Sequence, residues 1–121
     1  MNPVVLIIEG DPWLGDHLQR SLERESFKVL RASHAYAAID MIDSERPDAI
    51  VTGLLLSGTG ALSLLHELQS YVDTANIPVV ICNSLPNISL DELAPYGVKR
   101  IVDVTTMKPD DLPAAVRSIL A

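Results

Sequence analysis

The chain has 121 residues, of which 48% are hydrophobic and 4% aromatic, so we expect a single domain over residues 1–121 with a core of Val, Ile, Leu and Ala. The net charge is −7 and the nine Lys and Arg residues are scattered, which argues against a nucleic-acid-binding surface. The sequence shows neither a signal-peptide pattern nor an apolar run near the roughly 18 residues that cross a membrane, and therefore predicts a cytoplasmic protein with no membrane contact.

The first two predicted elements are a buried strand and an amphipathic helix. The run VVLII (4–8) is apolar throughout, as in a strand that is covered on both faces. In DPWLGDHLQRSLERE (11–25), Asp11 predicts an N-terminal helix cap and Pro12 suits the first helical position. Leucines recur every fourth residue along one face of this helix, whereas Gly15 weakens the helix slightly.

The next three elements are an edge strand, a helix and a buried strand. FKVLRA (27–32) alternates apolar with basic residues, which is typical of a strand at the edge of a sheet. Ser33 is the predicted cap of a second helix, which ends before Pro47 because the residue preceding a proline avoids the helical conformation. The apolar stripe of this second helix consists of Ala35, Ala38, Ile39 and Ile42. The next apolar run, AIVT (49–52), is the predicted third strand.

A third helix and a fourth strand continue the alternation. The strand is IPVVICN (77–83), which Pro78 enters at a position that tolerates proline. Cys82 has no basic neighbour in sequence, so we interpret it as a small buried core residue and not as a reactive thiol. The predicted inner face of the third helix carries Ala61, Leu64, Leu65, Leu68 and Val72.

The last three elements are a short helix, a strand and a longer helix. Ser89 is the predicted cap of the short helix, which Pro95 stops and Gly97 closes. The fifth strand is RIVDV (100–104), and the last helix lies within KPDDLPAAVRSIL (108–120). The inner face of that helix carries Leu112, Ala115, Val116, Ile119 and Leu120.

Strict alternation of strands and helices predicts an α/β fold with a parallel sheet. Right-handed crossovers and a wetter second strand favour the doubly wound, flavodoxin-like (βα)5 arrangement, with three α/β/α layers and strand order 2-1-3-4-5. The first and last helices are expected on one face of the sheet and the other three on the opposite face. In this order, a crevice should lie between residues 9–11 and residues 53–60, where the first and third strands end.

The motifs VLIIEGDPWL, RPDAIVTGLLLSGTG, IPVVICNS and YGVKRIVDV resemble, in order and spacing, the receiver domains of bacterial two-component response regulators. The resemblance covers nearly the whole chain. It implies an acidic pair that binds Mg²⁺ after the first strand and an Asp that accepts a phosphoryl group after the third. It also implies a Thr or Ser at the end of the fourth strand, and a Lys followed by Pro at the end of the fifth.

Two acidic positions of that family fall on glycines in this chain. The acidic pair falls on Glu9 and Gly10, so the second acid, a direct magnesium ligand in the family, is missing. Asp11 stands one position late, and we interpret it as a helix cap. The phosphoacceptor position falls on Gly53, which offers no carboxylate nucleophile. The hydroxyl of Thr52 should face away from the crevice, because successive strand residues point to opposite faces.

The remaining two positions also depart from the family. The hydroxyl position at the end of the fourth strand falls on Asn83, with Ser84 directly after it, and the larger Asn places the family's side-chain rotation in question. The lysine position falls on Val104 or Thr105. The pair Lys108-Pro109 imitates the lysine motif about one helical turn too late, and we interpret it as the entry to the last helix.

These departures predict a pseudo-receiver, a signalling domain that is not an enzyme, needs no metal or other cofactor, and binds a protein partner independently of phosphorylation. The partner is another signalling protein or a second copy of the chain. In receivers, the fourth helix, the fifth strand and the fifth helix carry such contacts, so Leu93, Tyr96 and Arg100 are the predicted partner face. The alternative is that Leu93 and Tyr96 only pack the short helix onto the sheet.

An enzyme is the first alternative reading, with Glu9, Asp11 and Asp103 as acid and base or with GTG (58–60) as a phosphate cradle. Both signals are weak, because the glycine spacing matches neither the dinucleotide fingerprint nor a P-loop. Three histidines share no spacing, and we interpret them as ordinary surface or interface residues: His17, His34 and His66.

A small-ligand or flavin-binding module is the second alternative, since flavodoxins share the fold and bind at the same crevice. Flavodoxins surround the phosphate of the cofactor with Ser and Thr, whereas EGDPW (9–13) is acidic and would repel a phosphate. A colourless purified protein would exclude a bound flavin.

Overall fold

Five mostly apolar runs form the strands β1 (Val4–Ile8), β2 (Lys28–Ala32), β3 (Ala49–Thr52), β4 (Val79–Asn83) and β5 (Val98–Asp103). The computed structural model describes residues 2–53, 61–83 and 89–120, and in it these strands form one parallel sheet in the order β2-β1-β3-β4-β5. The predicted doubly wound, flavodoxin-like order is therefore confirmed, with the wetter strand β2 at an edge.

Helices cover both faces of the sheet. They are α1 (Pro12–Glu23), α2 (Ala35–Glu45), α3 (Ala61–Gln69), α4 (Leu90–Leu93), which runs into a 3₁₀ turn (Ala94–Tyr96), and α5 (Asp111–Leu120). Buried side chains of α1 and α5 pack on one face of the sheet, and those of α2, α3 and α4 pack on the other. This distribution confirms the predicted three layers.

The register of the central strands places the ends of β1 and β3 side by side. Ile8, the last residue of β1, lies beside Thr52, the last residue of β3, and also beside Ala32 on β2. The residues that follow these strands, Glu9 and Gly53, therefore leave the sheet next to each other. This is the crevice that open α/β sheets offer to a ligand.

Several predicted boundaries differ from the structure. Strand β2 begins one residue later than predicted, at Lys28, and β4 begins two residues later, at Val79. The cap of α2 is His34 and not Ser33, because the Nδ1 atom of His34 accepts a hydrogen bond from the N–H of Ala37 at 3.3 Å. Val72 lies beyond the end of α3 and is 92% exposed, so its predicted place on the inner face is wrong. Strand β5 begins at Val98, two residues before its predicted start, and ends at Asp103, one residue before its predicted end.

The short fourth helix forms as predicted, with one difference at its cap. Ser89 occupies the cap position of α4, but its hydroxyl makes no capping hydrogen bond. Gly97 closes the following 3₁₀ turn with φ 86°, a left-handed conformation that glycine adopts without steric cost. Within the described ranges, no helix is long and apolar enough to cross a membrane.

Candidate functional site

The candidate site lies where β1 and β3 end, and its central pair is Glu9 and Gly53. The N–H of Glu9 donates to the carbonyl of Ala32 at 3.0 Å, which fixes the backbone of Glu9 against the edge strand. A Cβ atom placed on Gly53 would lie 3.3 Å from Oε2 of Glu9 and 3.5 Å from the carbonyl oxygen of Cys82. Since Gly53 has no positive φ, its backbone conformation does not demand glycine. Any side chain at position 53 would instead face the carboxylate of Glu9.

Burial is the main cause that raises the pKa of Glu9 above its ordinary value. The N–H of Asp11 contacts Oε1 of Glu9 at 3.4 Å and works in the opposite direction. The negative charge of Asp11 raises the pKa of Glu9 further, and the positive charge of Arg31 lowers it. A half-buried carboxylate with a raised pKa disfavours any additional acid in its surroundings.

Asp11 caps helix α1, as the sequence predicts. Its Oδ1 atom accepts hydrogen bonds from the N–H groups of Trp13 at 2.9 Å and Leu14 at 3.5 Å. Because this carboxylate is engaged at the helix terminus and Gly10 has no side chain, the residues present fit a magnesium site poorly. Within the part of the chain that the structure describes, no group of three His, Cys, Asp or Glu residues could hold a metal ion.

The ends of β4 and β5 meet at Asn83 and Asp103, which are partners in the strand register. The carbonyl of Asn83 accepts a hydrogen bond from the N–H of Val104 at 3.1 Å. Oδ1 of Asp103 accepts from the hydroxyl of Thr105 at 2.6 Å and from its N–H at 2.8 Å, and these bonds hold the pKa of Asp103 below its ordinary value. The two candidate positions for the family's lysine are Val104, with an apolar side chain, and Thr105, with a hydroxyl.

Lys108 and Pro109 form the entry to α5, which confirms the interpretation from sequence. The N–H of Lys108 donates to Oδ2 of Asp111 at 2.8 Å, across the first turn of the helix. The carbonyl of Pro109 accepts a hydrogen bond from the hydroxyl of Ser21 on α1 at 3.0 Å. This segment is therefore held between α1 and α5.

Two further side chains near the site are buried, and for Cys82 this confirms the predicted core position. Thr52 is 1% exposed, and its hydroxyl donates to the carbonyl of Gly53 at 2.9 Å. Cys82 is buried among the core residues between the sheet and helices α1 and α5. Burial, together with the charge of Glu9, raises the pKa of the Cys82 thiol to about 12. The predicted loop SGTG (57–60) and Ser84 lie outside the described residues.

The predicted partner face is only partly exposed. Leu93 is 6% exposed and belongs to the core, so its predicted surface position is wrong. Leu93 is the residue of the four-residue helix α4 that points toward the sheet. Tyr96 is half-buried and packs against the same core. Arg100 is exposed and its Nη1 atom donates to the carbonyl of Lys99 at 2.7 Å. For Leu93, the alternative reading that it packs the short helix onto the sheet is correct.

The sequence analysis missed the contact between Arg31 on β2 and Gly15 on α1. Nη1 of Arg31 donates to Oδ1 of Asp16 and to Oε1 of Gln19, both at 2.9 Å. A Cβ atom on Gly15 would lie only 2.7 Å from Cζ of Arg31, so this glycine makes room for the guanidinium group. A basic residue on an edge strand, with a glycine in the helix that covers it, is the sequence signal for this contact.

No protein-family model matches the chain. A curated response regulator, MprA of Mycobacterium bovis, is 28% identical over 99% of the chain, and MprA of Mycobacterium tuberculosis is 27% identical over the same share. In each case the chain spans about half the relative, 51% of its length.

Solved structures show the same fold over nearly the whole chain. The chemotaxis response regulator CheY4 of Vibrio cholerae superimposes with a TM-score of 0.89 at 12% identity, covering 99% of this chain and 100% of that one. The BeF3-activated N-terminal receiver domain of Klebsiella pneumoniae RstA gives a TM-score of 0.82 at 22% identity, covering 97% of each chain. Together with the strand order, these matches show that the chain has the fold of receiver domains and is similar over nearly its whole length to response regulators.

Proposed function

We propose that the chain is a receiver domain of the response-regulator family and, within it, a pseudo-receiver, which signals by binding a protein partner without accepting a phosphoryl group. The observation that carries the proposal is Gly53, at the end of β3 beside the carboxylate of Glu9. A phosphoryl group is accepted by a carboxylate nucleophile in this family, and glycine has no side chain to supply one.

The neighbouring side chains support the loss of phosphoryl chemistry. Thr52 has a hydroxyl beside Gly53, but this hydroxyl is buried and donates to the Gly53 carbonyl. Gly10 replaces one acid of the metal-binding pair, and Asp11 caps α1. At the lysine position, neither Val104 nor Thr105 carries the positive charge that would neutralise a phosphoryl group.

A receiver without a phosphoryl group has no covalent ligand that favours one of two conformations. We therefore infer that the affinity for the partner is set by the fold alone and does not respond to phosphodonors. The partner is a protein, either another signalling protein or a second copy of this chain, and the site performs no catalysis. The net charge of −7 argues against nucleic acid as the partner. The cytoplasmic location stays a prediction from sequence.

Exposure to acetyl phosphate and Mg²⁺, followed by intact-mass measurement, tests the loss of phosphoryl transfer. A receiver domain that retains its acceptor Asp serves as the positive control under the same conditions. We expect no phosphoryl adduct on this chain, whereas an adduct at sub-millimolar Mg²⁺ would refute the proposal. The variant with both Gly10→Asp and Gly53→Asp is expected to regain metal binding but not a working switch, because the lysine is still missing.

The partner face is tested with the double variant Tyr96→Ala and Arg100→Glu, which leaves the buried Leu93 untouched. Native extract passed over the immobilised domain supplies the partner, and Arg24→Glu, at the exposed residue directly after α1, provides a control of equal charge change. We expect the double variant to lose partner binding while its circular dichroism stays unchanged. Full binding by a folded double variant would exclude this face as the interface.

A further inference from the structure

A groove runs between α2 and α3, away from the ends of β1 and β3. Two adjoining cavities form it, and they share Ile39 of α2 together with Glu67 and Tyr71 at the C-terminal part of α3 and just beyond it. From Ala35 to Asp43, the groove follows α2 for about 12 Å, or roughly two helical turns. We call this surface the α2–α3 groove.

The floor of the α2–α3 groove is apolar and two tyrosines stand at its sides. Ile39 is the half-buried apolar side chain at the floor, and the buried core residues Ile42, Leu64 and Leu68 lie behind it. Tyr36 and Tyr71 line the groove and are 70% and 57% exposed. Large aromatic side chains beside an apolar floor are the residue types that anchor protein interfaces.

The rim of the α2–α3 groove is acidic. Asp43 and Glu67 are exposed on opposite helices, and Asp73 lies at one end, where it pairs with Arg46 at 2.7 Å. Neither α2 nor α3 contains Lys or Arg, and His66 is the basic group that lines the groove. Asp43 on α2 and Glu67 on α3 therefore place negative charge on both sides of the groove.

We propose that the α2–α3 groove binds a basic amphipathic helix of a partner protein, with its apolar side chains against Tyr36 and Tyr71 and its Lys or Arg residues beside Asp43 and Glu67. A groove of two helical turns accommodates anchors at i, i+3 or i+4, and i+7 of such a helix. This surface is separate from the face of Tyr96 and Arg100, and the inference does not depend on phosphoryl chemistry.

A second copy of this chain fits the α2–α3 groove less well than a basic partner. Each copy carries a net charge of −7, so two copies repel each other. The longer helices of this chain, α1, α2, α3 and α5, already bury their apolar faces against the sheet. Charge complementarity therefore favours a cationic helix from a different protein.

A synthetic peptide provides the probe for the α2–α3 groove. It carries Leu and Phe at i, i+3, i+4 and i+7, with Lys and Ala elsewhere, and a scrambled peptide of the same composition is the control. Fluorescence anisotropy measures the affinity of each peptide for the full chain. We expect the amphipathic peptide to bind at least about tenfold more tightly than the scrambled one, because only the former presents its apolar residues on one face.

Matched variants separate groove binding from general charge attraction. The double variant Asp43→Lys and Glu67→Lys should weaken peptide binding at least about tenfold. The double variant Glu92→Lys and Asp110→Lys, which makes the same change in net charge elsewhere on the surface, should weaken it less than about threefold. Equal losses in the two double variants would overturn the proposal.

Aromatic variants test the apolar contact. Tyr71→Ala should weaken binding at least about tenfold, whereas Trp13→Ala, at an exposed aromatic on α1, should leave it unchanged within about twofold. Circular dichroism verifies that each variant is folded. Unchanged binding by Tyr71→Ala overturns the proposal. A wild-type dimer in sedimentation that Tyr71→Ala dissociates also overturns it, since the occupant would then be a second copy of the chain.

Discussion

The substitution Gly53→Asp restores the acid of an ordinary receiver and, in this chain, should destabilise the fold. The added Cβ atom lies 3.3 Å from Oε2 of Glu9, which requires a shift of a few tenths of an ångström. The larger effect is electrostatic, because the new carboxylate faces a half-buried carboxylate whose pKa is already raised by burial. No ammonium group lies at Val104 or Thr105 to compensate for the second charge.

The repulsion can be bounded from the geometry. At a separation of roughly 5 Å, two like charges repel by about 1 kcal/mol in water and about 3 kcal/mol at an effective dielectric constant of 20. Because Glu9 is only half-buried, we expect a loss between these limits at pH 7, relative to the uncharged variant Gly53→Asn. For a domain of this size, each kcal/mol corresponds to roughly 3–6 °C in Tm.

Urea denaturation of Gly53→Asp, Gly53→Asn and the double variant Glu9→Gln/Gly53→Asp measures this loss. A carboxyl with a raised pKa stabilises the fold most when protonated, and this advantage disappears as the pH rises through the raised pKa. The difference between Asp and Asn at position 53 should therefore vanish near pH 4 and below, and Glu9→Gln should remove most of it at pH 7.

Two results would refute this reasoning. If Gly53→Asp is as stable as Gly53→Asn at pH 7, the new carboxylate does not face Glu9. If sub-millimolar Mg²⁺ restores the stability of Gly53→Asp but not that of Gly53→Asn, the surrounding residues still hold a metal ion despite Gly10 and the capping role of Asp11.

Three other predictions follow from contacts near the site. Asp11→Ala should lower the free energy of unfolding by about 1 kcal/mol because it removes the α1 cap, whereas Asp11→Asn should keep most of the stability; equal losses in urea denaturation would contradict a capping role. Gly15→Ala should stabilise α1 by about 0.5–1 kcal/mol only in the Arg31→Ala background, because the guanidinium group otherwise occupies the space of the methyl group; the same gain in the wild type would show that Arg31 moves freely. Cys82 should not react with a thiol reagent at pH 8 without denaturant, since it is buried and its pKa is about 12; rapid labelling would contradict this.

The sequence predicted the sheet because its apolar runs and helical stripes are strongly periodic. Strand β3 matches its prediction residue for residue, at Ala49–Thr52. The errors lie at element ends, where single hydrogen bonds decide the boundary. Val72 extends the periodic stripe of α3, yet the helix ends at Gln69 and the Thr74 hydroxyl bonds the Leu68 carbonyl at 2.6 Å. Side-chain capping of this kind is invisible to apolar periodicity.

Parts of the candidate site could also be predicted, because adjacent parallel strands bring their ends together. The positions of Glu9 and Gly53, and the capping role of Asp11, follow from that rule and from helix-cap chemistry. The contact of Arg31 over Gly15 could not be predicted, since it depends on the path of a long side chain across a helix. The burial of Leu93 was missed because the inward side of so short a helix depends on how its single turn packs.

The carboxylate of Glu9 makes it unfavourable to restore the acids of an ordinary receiver one at a time. Glu9 remains the carboxylate at the centre, and its raised pKa indicates that even one negative charge is unfavourable there. An Asp at position 53 or at position 10 adds repulsion that only a bound cation would offset, and the cation requires both acids to be present. Each restoring substitution is therefore unfavourable by itself, so we expect stability to improve only when the two acids are introduced together with Mg²⁺.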